Sequence, residues 1–202
     1  PINADREEMQ AGTLSYAIVE PLKAWRLDVA DEANGIKGSL VFRPRCPLYT
    51  FSRVYWQDGH RLVANQMHYT QAGLYEGSFT VGGKTFTDIL GMRDRSWGVR
   101  DMANVPVWYW ISAQFTGFCI SAWLWETPDG EVIHVDGGII PEEGDARQVT
   151  KIEHELELWP GTKRPRIGRF TLTTADGERM ALEASEIGTI FLGPVASAWS
   201  DS

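Results

Sequence analysis

Five glycine-bearing dipeptides punctuate the chain: Asn34-Gly35, Asp58-Gly59, Gly82-Gly83, Asp129-Gly130 and Asp176-Gly177. Each accepts the positive φ that a tight hairpin demands. Their intervals are about 24 residues or about twice that, the length of two strands of ~8 to 10 residues with their connections. The segments between them read as strands. "IKGSLVF" alternates Ile36, Gly38, Leu40 and Phe42 against Lys37, Ser39 and Val41. "GRFTLTT" and "RMALEAS" flank Asp176-Gly177 as a hairpin, and "FCISAWLWE" and "EVIHVDGG" flank Asp129-Gly130 in the same way. No segment sustains a 3.6-residue apolar period; "ADREEMQAG" near the start is the one stretch that could turn helically once or twice. An antiparallel all-β chain closing into a barrel or sandwich is the expected class. "RPRCP" (43–47), "PEEGDARQ" (141–148) and the proline-broken "WPGTKRPRIG" (159–168) read as loops, and a lobe boundary is placed near residue 90.

Bulk properties bound the function. The 202 residues suffice for one large β domain or two small ones, and 43% hydrophobic against 23% charged residues is the balance of a folded globular chain. A net charge of −8 argues against nucleic acid as a partner. No apolar run reaches the ~20 residues of a membrane span, and no signal peptide opens the chain. Pro1 stands where Met would, so the start is processed or belongs to something longer. Cys46 and Cys119 are too few for a disulfide framework, which points to a reducing cytoplasm; Cys119, in an apolar run, reads as a buried, inert thiol. Oligomeric state is not legible.

Chemistry concentrates in "GMRDRSWGVR", residues 91–100. On an extended strand Asp94, Ser96 and Arg100 share one face, and Arg93, Arg95 and Trp97 the other. An aspartate among arginines ordinarily stays ionised, and donates a proton only where burial outweighs the pairing. One reading is therefore a catalytic or ligand-binding Asp94. The other is a structural Arg–Asp–Arg network with Trp97 stacked under a guanidinium, plugging a barrel end.

The chain holds nine Trp, many of them between residues 97 and 125. In "VPVWYWISAQFTGFCISAWLWE", Trp108, Trp110, Ser112 and Gln114 share one face, and across the turn Ser121, Trp123 and Trp125 share another. Indoles mixed with small polar groups suit the wall of a cavity for an apolar ligand. A packed core with satisfied indole N–H groups explains the same pattern. "VIHVDGG" places His134 and Asp136 on one face, about 6.6 Å apart, both directed toward the cavity of Trp123 and Trp125 as general acid–base candidates. In "ANQMHYTQAG", His68 and Gln71 form a weaker candidate pair, with Tyr55 and Trp56 on the same side. The chain has no GxSxG, HExxH, Walker A or GxGxxG signature. Its four histidines lack ligand spacing, so no metal site is expected.

"HYTQAG" (68–73), "EGSFTVGGKTF" (76–86) and "GMRDRSWGVRD" (91–101) together resemble the AttH-like group, which is related to the carotenoid 1,2-hydratases (hydroxyneurosporene synthases). The resemblance runs from about residue 20 to the end. It implies two lipocalin-like lobes, residues 1–90 and 91–202, the first incomplete because more first-lobe sequence is expected before residue 14. It also implies an apolar, terpenoid or polyketide ligand and cofactor-independent hydratase, lyase or isomerase chemistry. In that chemistry a carboxylic acid, Asp94 or Asp136, protonates an alkene. Trp97, Trp108, Trp110, Trp123 and Trp125 face the cation. Arg93, Trp97, Arg100, Trp108, Trp110, Gln114, Trp123, Trp125, Tyr55 and His68 are the expected ligand-binding set, and Asp94, Asp136 and His134 the catalytic one. A carrier with the same cavity and no turnover is the alternative. A third reading is a structural lobe whose charged motif only cements the junction between barrels.

Overall fold

The computed structural model describes residues 8–101, 104–162 and 164–187. It is antiparallel β throughout, as the turn spacing predicts, with one 3-10 turn at Glu32–Asn34 and no α-helix among the described residues. One sheet holds β1 (Glu8–Ala11), β2 (Leu14–Glu20), β3 (Ala24–Asp31), β4 (Ile36–Pro44), β5 (Tyr49–Thr50), β6 (Val54–Asp58), β7 (Arg61–Val81) and β8 (Lys84–Arg100). The other holds β9 (Val107–Phe115), β10 (Phe118–Glu126), β11 (Val132–Pro141), β12 (Arg147–Leu158), β13 (Pro165–Thr174) and β14 (Arg179–Ser185). The five dipeptides connect β3 to β4, β6 to β7, β7 to β8, β10 to β11 and β13 to β14. Gly82 and Gly83 take φ 55° and 77°, which lets β7 fold straight back on β8.

One local expectation is corrected. The stretch "ADREEMQAG" is not helical where it is described: Glu8–Ala11 pairs with Leu14–Ala17 as a β-hairpin, and residues 4–7 lie outside the described residues. Nine residues make too few helical bonds to offset nucleation, whereas the hairpin joins an existing sheet.

The chain divides into two compact units, Pro1–Thr150 and Lys151–Ser202. In the second, β13 and β14 pair from Ile167↔Ser185 to Thr173↔Arg179, with Leu172 fully buried. The candidate site lies in the first, whose spine is β7. Along one edge, Gly73–Val81 pairs with β4, while the earlier part pairs with β5 and β6; the other edge carries β8 along its length. Residue 90 lies inside β8, beside the Gly73↔Gly91 step at which the partners of β7 change.

Phe51, Val54, Ala64, Trp123 and Trp125 form the core that positions the site, with Tyr49, Trp56, Trp110 and Ile133 packed on it. Phe51 and Trp125 are each 1% exposed; burying an aromatic of this size contributes about 1.5–3 kcal/mol.

Candidate functional site

Alternation along β7 turns Ala64, Gln66, His68 and Thr70, all buried, toward β9 and β10; Thr70 Oγ1 meets Ser121 Oγ of β10 at 2.8 Å. Register sets Trp110 opposite Trp123 and Trp108 opposite Trp125, so four indoles tile one wall. Gln66 and His68 of β7, with Asp94, Ser96 and Arg100 of β8, form the other. Between them lies a half-open hollow of about 300 Å³.

His68 is the centre of this site. It is 4% exposed, and its ring stacks on Phe51 (centroids 5.0 Å apart, planes 15° apart) and lies 4.5 Å from Trp110, with Trp123 edge-on at 5.2 Å. Its Nε2 is hydrogen-bonded to Asp94 Oδ1, and its Nδ1 is buried with no protein partner. Asp94 is half exposed, so the pair runs from the aromatic interior to the mouth. Three further wall residues carry buried polar atoms without a protein partner: Gln66 (Nε2 and Oε1), Trp123 Nε1 and Trp125 Nε1. Burying such a group unpaired costs about 1–3 kcal/mol.

The structure sorts the candidates by face. Asp94, Ser96 and Arg100 face the hollow with His68, Trp108, Trp110, Trp123 and Trp125. Arg93 and Trp97 are on the opposite side of β8. Arg93 lies 3.8 Å over the Trp25 ring and donates from Nη2 to Tyr69 Oη at 2.7 Å, and Trp97 meets Tyr69 edge-on. The guanidinium thus stacks on Trp25, not on Trp97, because that indole of β3 shares its side of the sheet. The expected His68–Gln71 pair is corrected too. An odd spacing along a strand separates the two faces, and Gln71 stands opposite Arg93 in register. Tyr55 and Trp56 divide for the same reason: Tyr55 is 57% exposed while Trp56 packs on the core.

Gln114, Asp136 and His134 do not line the hollow. Gln114 donates to the carbonyls of Gly73 and Gly91 and accepts from Arg45, tying β9 to β7 and β8. Asp136, 2% exposed, accepts from Tyr49 Oη (2.7 Å), from the Gly137 N–H (2.7 Å) and from the Ser52 N–H. Burial pushes its carboxyl upward, but the hydrogen bonds from Ser52, Tyr49 and Gly137 outweigh it and leave the pKa below the usual value. It is therefore an ionised anchor between the loop after β5 and β11, with no proton to give at neutral pH. The Tyr49 phenol is correspondingly raised, first by burial and then by the bond to Asp136. His134, across from Trp125, is lowered by burial, the nearby Asp136 charge opposing. Cys46 and Cys119 are free and buried, the Cys119 thiol pushed up to about 12 by burial first and its neighbour Cys46 second.

Sequence reasoning missed Gln66 and Phe51. Gln66 was within reach, two residues from His68 on the same strand face; Phe51 sits in a short irregular segment with no periodic signal. It also missed Gly98, directly opposite Gln66 with φ 119°, whose Cβ would sit 2.2 Å from Asn65 O.

A second hollow, about 550 Å³, lies within the second unit between β12, β13 and β14. Four of its five charged Arg and Glu wall residues are taken up in the Arg169–Glu183 and Arg179–Glu153 pairs, so the smaller indole-walled hollow is the better candidate. Among the described residues no helix is long and apolar enough to cross a membrane.

Among solved structures, the chain is similar to a protein of Nitrosomonas europaea described as a candidate AttH, at 17% identity and a TM-score of 0.60. The alignment covers 83% of this chain and 57% of that one, so the chain spans little over half the length of that protein. The likeness gives an AttH-like, lipocalin-like all-β fold. No curated protein matches the chain. A family described as a domain of unknown function (DUF7064) matches residues 1–201, and the chain belongs to that family.

Proposed function

We propose that the hollow between β7–β8 and β9–β10 binds a small apolar, isoprenoid-like molecule. On it the chain acts as a cofactor-independent lyase or isomerase through proton transfer by the His68–Asp94 pair. The observation that carries this reading is His68 itself. A ring packed between Phe51 and Trp110 is held in one orientation, and its Nε2–Asp94 bond keeps one mobile proton at the cavity wall. Asp94 orients the imidazole and balances its charge when it takes up a proton. Trp108, Trp110, Trp123 and Trp125 line the hollow and offer π faces to positive charge developing on carbon. Arg100 and Ser96 stand at the same wall as polar handles. Asp136 and His134 support the scaffold in this assignment and leave the acid–base role to His68 and Asp94. A site of about 300 Å³ holds on the order of ten water-sized groups at ~30 Å³ each, which favours a ligand of some ten to fifteen heavy atoms.

The two-lobe organisation, with residues 1–90 and 91–202 as the lobes, belongs to the proposal. So does a reducing, cytoplasmic setting for the two thiols, with no nucleic acid as partner.

The test is deuterium incorporation at carbon. Linalool and myrcene, an alcohol and the alkene it becomes on losing water, are incubated with the protein in D2O and analysed by mass spectrometry. Expected is enzyme-dependent label in at least one, lowered about a hundredfold or more by either His68→Asn or Asp94→Asn while ligand binding stays within about twofold. A carrier, the second reading, is favoured by the four-indole wall, which needs no chemistry to be useful. It predicts binding with no label in the native protein, and that outcome overturns the catalytic assignment.

A further inference from the structure

Resting on the reading that this hollow binds a ligand, we infer that the ligand is an apolar carboxylic acid. Arg100 holds its carboxylate, and its hydrocarbon body lies along the indoles toward His68. Arg100 lines the hollow and is exposed, and its side chain makes no hydrogen bond, ion pair or ring contact with any described residue. In a chain with 27 acidic against 19 basic residues, an arginine without a carboxylate is the exception. Arg26, Arg43, Arg45 and Arg61 each hold one. The acids nearest Arg100 along β8 and just beyond it are engaged elsewhere: Asp101 with Arg61 and Asn104, and Asp94 with His68.

Strand register gives the hollow two ends. Arg100 stands opposite Ala64, which packs with Trp125, and Trp125 in turn pairs with Trp108. Ser96 stands opposite His68, and Asp94 opposite Thr70, which is bonded to Ser121. Six residues of strand, up to about 20 Å at ~3.3 Å each, separate the backbones of Arg100 and Asp94. The acceptors at this wall, Asp94 and Ser96, therefore belong to the His68 end, while His68 Nδ1 is buried beyond a ligand's reach. The cation at the other end is left for the ligand to answer. A guanidinium presents parallel N–H donors that match the two oxygens of a carboxylate, whereas an alcohol offers one acceptor and no charge. Trp108, 48% exposed on the same wall, supplies an apolar surface for the carbons that follow the head group. A fully solvated ion pair would add little affinity; one at the mouth of an indole-walled hollow is partly shielded from water and adds more.

Citronellic acid and citronellol test this directly, since they share a carbon skeleton and differ in a carboxylate against a hydroxyl. Both have about ten carbons, within the size the hollow admits. Binding to the intact protein at pH 7.5 is measured by equilibrium dialysis read by gas chromatography. The acid is expected to bind at least fivefold more tightly than the alcohol, against the order set by their hydrophobicity. Arg100→Gln should remove that preference by weakening the acid five- to tenfold while the alcohol stays within about twofold. Arg95→Gln makes the same change in net charge on the opposite face of β8, and should leave the preference in place. Equal affinities in the native protein, a preference that survives Arg100→Gln, or an equal loss in Arg95→Gln overturns the inference and leaves an apolar site intact. Failure of both compounds to bind overturns this inference together with the ligand site beneath it. A preference for the acid in a protein that puts no deuterium into linalool or myrcene upholds the inference and removes only the catalytic step.

Discussion

Asp136→Asn is expected to lower the unfolding free energy by about 3 kcal/mol, a fall of roughly 10 °C in Tm for a chain this long. The carboxylate takes bonds from Tyr49, Ser52 and Gly137 in a 2% exposed site, and all of these partners donate. An amide in its place turns one acceptor into a donor that faces other donors, so at least one buried N–H or O–H is left unpaired. Hydrogen bonds to a charged acceptor are each worth about 1.5–3 kcal/mol, which is why the loss exceeds that of an ordinary surface change. Tyr49→Phe, which removes one donor and leaves the charge with the rest, should cost about half as much.

The same site sets a pH dependence with a definite sign. The folded-state pKa of Asp136 lies below its ordinary value, so its ionised form is bound more tightly in the native protein. That stability is fully present above the unfolded pKa of about 3.9 and is lost as pH falls through the lower folded value. Denaturant titrations of the native protein and of Asp136→Asn at a series of pH values should therefore show a gap that is constant near neutrality and narrows below about pH 4. A gap that widens toward acid would mean the carboxyl is held protonated, and would return Asp136 to the list of proton donors.

Gly98→Ala should destabilise by about 3 kcal/mol or more and should also damage the hollow. Two costs add. The backbone there has φ 119°, a region that side chains with a Cβ rarely adopt, and the new Cβ would lie 2.2 Å from Asn65 O and 2.8 Å from Gln66 Cα. Backbone atoms of the neighbouring strand cannot swing aside as a flexible side chain would. Relief must come from displacing β7 at Gln66, a wall residue, so ligand affinity falls with stability. Gly59→Ala separates the two costs: φ there is 57° but nothing lies within 4 Å of the new Cβ, so only the conformational penalty of about 1–2 kcal/mol remains. Comparable losses for both variants, read by thermal unfolding, would show that the close approach of β8 to β7 does not matter.

Much of this architecture was open to reading from the chain, because its signals are local. A dipeptide such as Asp129-Gly130 bends a hairpin whatever surrounds it, and the period of two separates Asp94, Ser96 and Arg100 from Arg93 and Trp97 as soon as the segment is extended. The same rule divides His68 from Gln71, and applying it strictly would have excluded that pair. The helical expectation for "ADREEMQAG" failed over Glu8–Ala11, where propensity met a sheet edge that took these residues as a strand. The four-indole wall was half visible: each strand showed its tryptophans on one face, but which indoles stand opposite which depends on the β9–β10 register.

What the sequence by itself determined was the all-β class, the places where the chain reverses and the face to which each strand residue points, all of them consequences of nearest-neighbour backbone geometry. The tertiary structure alone decided the partners. His68 meets Asp94 across 26 positions, Asp136 meets Tyr49 across 87, and Arg93 finds Trp25 instead of Trp97. Such meetings follow from strand register and from one sheet packing on another, where a shift of a single residue would turn every side chain to the wrong side.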